Sequence, residues 1–232
     1  MIRITRHILL SIALMAPSSL AAQSSFQPPQ GCTGTLTVQY RACLVSNIWT
    51  CEGDAAGEQW VSVFSQAGPF QVRKVDAEFQ WLETYYAAPP RTEEMQLPAP
   101  DPESLTELFA EGYDTYDFTT VPSVNADPER YVGFDRLTGE TTVIDGEVLL
   151  NTEYAYDQLD PAGNITASNA GRQFVSERHR MFFFGVSWSS ETPDDQFDAS
   201  PVEFIYPGEA GFFSATPKFG CGVIMSSFEG AQ

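Results

Sequence analysis

The chain has 232 residues, 43% of them hydrophobic, and carries 31 Asp and Glu against 12 Lys and Arg, for a formal net charge of −19 at pH 7. So few basic groups exclude a nucleic-acid-binding surface, which depends on clustered Lys and Arg; the acidity fits a solvated, salt-tolerant surface or attraction of cationic ligands. The four cysteines are an even number with no C-x-x-C or Cys/His spacing, which favours disulfides over zinc or thiol-redox chemistry.

Residues 1–21 read as an export signal: Arg3, Arg6 and His7, then an apolar run over 8–16, then Ser19-Leu20-Ala21 as a small-x-small cleavage site. That run is too short to cross a bilayer and no longer one follows, so the expected location is the periplasm or the exterior, with no transmembrane segment after signal removal. Residues 22–31 are expected to be a flexible lead-in. Residues 32–232 show no internal repeat and no linker, and are expected to form a single β-rich domain.

Leu36, Val38 and Tyr40 alternate with Thr35, Thr37 and Gln39, the period of a half-buried strand. Further strands are expected over 44–49, 60–64 and 75–81, where Trp81 ends an apolar parity opposite an acidic one. The proline-rich stretch 87–102 is expected to be a long loop. After it, Asp101 is the expected N-cap of a short helix with Pro102 at its first position, Leu105, Leu108 and Phe109 on one stripe and Gly112 as its stop.

The stretch 130–188 reads as long antiparallel strands. Val148, Leu150, Thr152, Tyr154 and Tyr156 share the apolar parity; Leu137-Thr138-Gly139-Glu140 is expected to close one hairpin, and Asp160-Pro161-Ala162-Gly163-Asn164 another. Asp145-Gly146 is either a two-residue turn or a bulge, because Gly tolerates positive φ in both. One strand is expected from Phe174 through His179 to Val186, apolar on both parities in its second half and so requiring cover on both faces. Residues 201–206 and Phe212-Phe213 are expected to form a final hairpin. About ten strands and one helix predict a mainly β fold: a single antiparallel meander forming a barrel, half-barrel or sandwich, with one short helix packed on it.

Two disulfides are expected. Cys43–Cys51 with Cys32–Cys221 is the favoured scheme, since the second bridge would join the two ends of a closed or sandwiched sheet; the rival is Cys32–Cys51 across a hairpin, with Cys43–Cys221.

No catalytic residue, cofactor or metal is expected. His179 beside Arg178 and Arg180 reads as structural, and no Gly-x-Ser-x-Gly elbow is present. The leading expectation is an exported non-enzymatic binding protein of the bacterial envelope for an apolar or lipid-like ligand or an envelope partner, its site lined by Met181, Phe183, Phe184, Leu105, Phe109 and Trp81. One alternative is a carboxylate-dependent glycoside hydrolase or carbohydrate-binding protein acting on extracellular polysaccharide. It would draw on Glu78, Glu83, Asp135, Glu153 or Glu177 and a face lined by Trp81, Tyr85, Tyr154 and Trp188. Another is a structural or assembly factor of the envelope. A calcium site at Asp160 and Asn164, or at Asp194, Asp195 and Asp198, lacks the EF-hand spacing.

Overall fold

The computed structural model describes residues 26–123 and 126–222, so the expected export signal lies outside the described residues. The first strands are β1 (Cys32–Tyr40), β2 (Leu44–Cys51), β3 (Gln59–Ser65), β4 (Gly68–Val75), β5 (Trp81–Ala87) and β6 (Pro90–Met95), followed by helix α1 (Leu105–Glu111). Then come β7 (Tyr113–Pro122), β8 (Glu129–Ile144), β9 (Glu147–Leu159), β10 (Ile165–Ser176), β11 (Met181–Ser189), β12 (Phe197–Asp198) and β13 (Pro201–Ile205). All thirteen make one antiparallel sheet, in which β1 to β12 pair in chain order and β13 returns to the free edge of β1.

The ladder does not close, so the fold is a half-barrel or sandwich rather than a barrel. One short stretch nevertheless touches both of its ends. Asp198 of β12 pairs with Val186 of β11, and a few residues later Phe204 of β13 pairs with Val38 of β1. Between them Ala199 N donates to Gly185 O (2.8 Å) and Ser200 O accepts from Arg41 N (3.0 Å).

Both parities of β1 are buried from Leu36 onward. Leu36, Val38 and Tyr40 join the main core with Ile48, Val63, Val75, Leu149, Met181, Phe183 and Phe204. The polar parity is covered by the loop 206–222, which it holds through side chains. Phe213 N donates to Thr37 Oγ1 (2.7 Å), Asn47 Nδ2 to Ser214 O (3.0 Å), and Gln39 bonds both Thr216 O (3.2 Å) and Lys218 N (2.9 Å). Phe212-Phe213 therefore forms no strand, contrary to expectation; Phe213 is a buried plug. A Cβ on Gly34 would stand 2.4 Å from its ring.

The favoured disulfide scheme is overturned. Cys32 bonds Cys51, its register partner across β1 and β2, and Cys43 bonds Cys221, fastening the loop 206–222. Such bridges belong to a chain that folds in an oxidising, non-cytoplasmic compartment, and no helix among the described residues is long and apolar enough to cross a membrane. The lead-in is docked from Phe26 onward: its ring stacks on Phe213 (5.8 Å) and meets Trp49 (5.3 Å).

Two turn assignments and one loop assignment change, and the choice left open at Asp145-Gly146 is decided. Thr138-Gly139-Glu140 is a bulge within β8, and Asp145-Gly146 is the hairpin turn, with φ of 49° and 85° as a type I′ turn requires. At this tip Leu149 is buried and Val148 exposed, the reverse of the expected parity, because Leu149 enters the main core. Residues 177–180 are a turn, so the single strand expected from Phe174 to Val186 is two, β10 and β11, with Phe174 opposite Phe183. The expected loop over 87–102 contains β6, whose opening Pro90 occupies a strand position that tolerates proline.

Helix α1 starts later than expected. Ser104, not Asp101, is its N-cap, accepting from Glu107 N, while Gly112 ends it at φ 76°. Asp101 instead bridges Asp117 of β7. Leu105 and Leu108 bury with Val175 and Phe182, and Phe109 and Phe79 pack beside them. The helix thus covers one side of β11 and the main core the other, which explains why that strand is apolar on both parities.

Candidate functional site

The expected binding wall is not one surface. Met181 and Phe183 point into the main core, Leu105 and Phe109 lie with Phe182 in the helix cluster, and Trp81 packs against Phe118 (5.5 Å) and Tyr131 (5.7 Å). Phe184 is 39% exposed against Tyr40. Met181, Phe182, Phe184, Phe79, Arg73 and Tyr40 border a cavity of about 60 Å³. That is under half of the roughly 150 Å³ that accommodates one benzene ring.

A second arrangement is polar. Asp114, Asp135, Tyr154, Gly171 and Ser187 are successive cross-strand partners from β7 to β11 and share one face of the sheet. Asp114 and Asp135 are each 3% exposed, and Glu103, at the root of the helix, is 6% exposed. Asp135 accepts from Gln173 Nε2 (2.9 Å) and Asp114 from Ser104 N (2.8 Å). Burial first, then the neighbouring carboxylates, raises all three: Asp135 to about 7, Asp114 to about 6, and Glu103 well above its ordinary value. Arg73 offsets part of this for Glu103, but its guanidinium lies over Trp81 (3.7 Å) and its Nε donates to Thr84. The group forms a proton-holding cluster behind the helix. Among the described residues no three His, Cys, Asp or Glu side chains converge as a metal site.

Other sequence candidates are occupied structurally. Glu78 accepts from Thr106 N (2.8 Å), Thr106 Oγ1 (2.8 Å) and Arg180 (2.8 Å), tying the helix to the β10–β11 turn. Asp160 caps its own turn through Ala162 N and Asn164 N, and Asp198 pairs with Arg41. His179 bonds Tyr206 Oη (3.1 Å) beside Glu147, with burial lowering its affinity for a proton. The aromatic quartet divides: Trp81 and Tyr154 are linked on one face through Tyr131 and Tyr156, Tyr85 packs on Trp60 on the other, and Trp188 lies on the parity opposite Tyr154.

The opposite face of β2 to β5 carries a groove of about 410 Å³, lined by Phe26, Trp49, Trp60, Val72, Tyr85 and Asp54. Register builds it: Trp49 is opposite Trp60, Trp60 opposite Lys74, and Lys74 opposite Glu83. The Trp60 ring is near-parallel to Trp49 (6.2 Å, 6°) on one side and to Tyr85 (6.2 Å, 28°) on the other. Asp54 fixes the platform by accepting from Trp60 Nε1 (2.8 Å) and pairing with Lys74 (3.0 Å), while Tyr85 Oη donates to Glu83 (2.6 Å). That bond holds the Tyr85 proton, pushing its pKa up to about 12. Tyr85 is 41% exposed, whereas Trp49 is buried and its Nε1 has no acceptor among the described residues. Sequence reading missed Trp49, Trp60 and Phe26. Their one signal was aromatic content near the first disulfide, and only register brings them together.

No family model, curated protein or solved structure matches this chain.

Proposed function

We propose that this is an exported, non-enzymatic binding protein, periplasmic or secreted, whose site is the Trp60–Tyr85 groove and whose ligand is a carbohydrate. The carrying observation is the pair of near-parallel, accessible rings with carboxylates fixed at their edge. A pyranose has an apolar C–H face that packs on an aromatic ring and a rim of hydroxyls that donate to carboxylates, so it matches both parts of the groove. A lipid-like ligand at the Met181 wall fits less well, because the cavity there has no room for an acyl chain.

Titrating the protein with a panel of oligosaccharides, read by tryptophan fluorescence and calorimetry, tests the reading. Saturable binding is expected, weakened at least about tenfold by Trp60→Ala or Tyr85→Ala, the loss of one stacked aromatic contact with its buried area. A panel with no binder, or binding indifferent to both substitutions, overturns it.

A further inference from the structure

We infer that the groove prefers a cationic carbohydrate, an oligomer of amino sugars with free ammonium groups; this rests on the carbohydrate reading of the groove. Trp60, Lys74, Glu83 and Glu94 are successive cross-strand partners on one face, each step spanning one inter-strand distance of about 4.8 Å. The single cation of this row is already engaged. Lys74 pairs with Asp54 (3.0 Å) and Glu58 (2.8 Å), and its side chain is only 14% exposed.

Glu83 and Glu94 have no such partner. The Glu83 side chain accepts only the neutral hydroxyl of Tyr85, and the Glu94 side chain makes no hydrogen bond or ion pair, among the described residues. Like charges placed directly opposite across two strands repel each other, so their pairing costs the empty protein stability. An ammonium lodged between them while its sugar ring lies on Tyr85 relieves that repulsion. A uronic acid in the same place would add to it. The net charge of −19 acts in the same sense at longer range, drawing cations toward the surface.

The test compares equal-length oligomers of glucosamine, N-acetylglucosamine and galacturonate on the intact protein at about pH 5.5, where ordinary carboxylates and sugar ammonium groups are both charged. The glucosamine oligomer is expected to bind about tenfold tighter than its acetylated counterpart, the scale of two exposed charge contacts. The advantage should vanish near 1 M salt, where the screening length falls to about 3 Å, and in a Glu83→Gln/Glu94→Gln protein whose thermal unfolding matches the parent. Equal affinity for the acetylated oligomer, or a preference insensitive to salt, overturns the charge inference and leaves the carbohydrate reading standing. Binding of none of the three overturns the charge inference, and the carbohydrate reading falls with it when the wider oligosaccharide panel also gives no binder.

Discussion

Asp114 and Asp135 face one another across the β7–β8 ladder, both buried, and neither is bonded to a cation among the described residues. Glu103 adds a third buried carboxyl, which feels the charge of both.

This cluster makes stability depend on pH. The folded-state affinities for protons are raised, Asp135 to about 7 and Asp114 to about 6, while the unfolded chain releases its protons near pH 4. The folded protein thus binds more protons than the unfolded one between about pH 4 and 7. Its stability should fall as pH rises through that window, by an amount on the order of a few kcal/mol. Melting curves from pH 4 to 8 measure the slope. Asp135→Asn keeps an acceptor for Gln173 and should flatten it, leaving the variant more stable than the parent at pH 8; an unchanged slope removes the cluster as its source.

The two disulfides should differ in weight. Cys43–Cys221 closes a loop of sequence separation 178 and Cys32–Cys51 one of 19. In the chain-entropy account these restrict the unfolded state by about 5 and about 3 kcal/mol respectively. The Cys43→Ser/Cys221→Ser protein should therefore melt below the Cys32→Ser/Cys51→Ser protein, and non-reducing peptide mapping should recover these two pairs.

Glu78 is the clasp of helix α1, receiving Thr106 N, Thr106 Oγ1, Ser104 Oγ and Arg180 together. Glu78→Ala leaves those donors to water and should cost about 2 kcal/mol. Hydrogen exchange should localise the effect to amides of residues 104–111, whereas exchange spread evenly over the sheet would contradict the role.

Gly34 is the seat of Phe213. In Gly34→Ala the new methyl meets the ring at 2.4 Å, so the ring must leave its pocket between Phe26 and Trp49. A cost of about 1–3 kcal/mol is expected. Faster proteolysis within 206–222 should accompany it, with the Cys43–Cys221 bridge still intact.

Much of the fold was legible in alternation alone. Leu36, Val38 and Tyr40 marked β1 correctly, and the two-sided apolarity of residues 181–186 correctly required cover on both faces. The turns were harder, because Gly139 in a bulge and Gly146 in a hairpin both take positive φ, and local sequence does not distinguish the two. The groove was legible only in fragments, Glu83 and Tyr85 among the carbohydrate candidates: Trp60 and Tyr85 share a site because β3, β4 and β5 pair in a particular register. The burial of Glu103 was not legible, because it sits beside Asp114 of β7 and Asp135 of β8, which lie later in the chain.

The return of β13 to β1 sets an order of events during synthesis. β1 leaves the ribosome early, yet its second edge stays unpaired and its polar face uncovered until the last part of the chain has appeared. Neighbouring hairpins can form as they emerge, because they need only local contacts. The core beneath Val38 cannot be sealed until Phe204 arrives, nor the Cys43 thiol consumed until Cys221 does. The nascent polypeptide therefore remains an open meander with an exposed strand edge throughout most of its elongation, a form that can be threaded and also one that a holding chaperone would recognise.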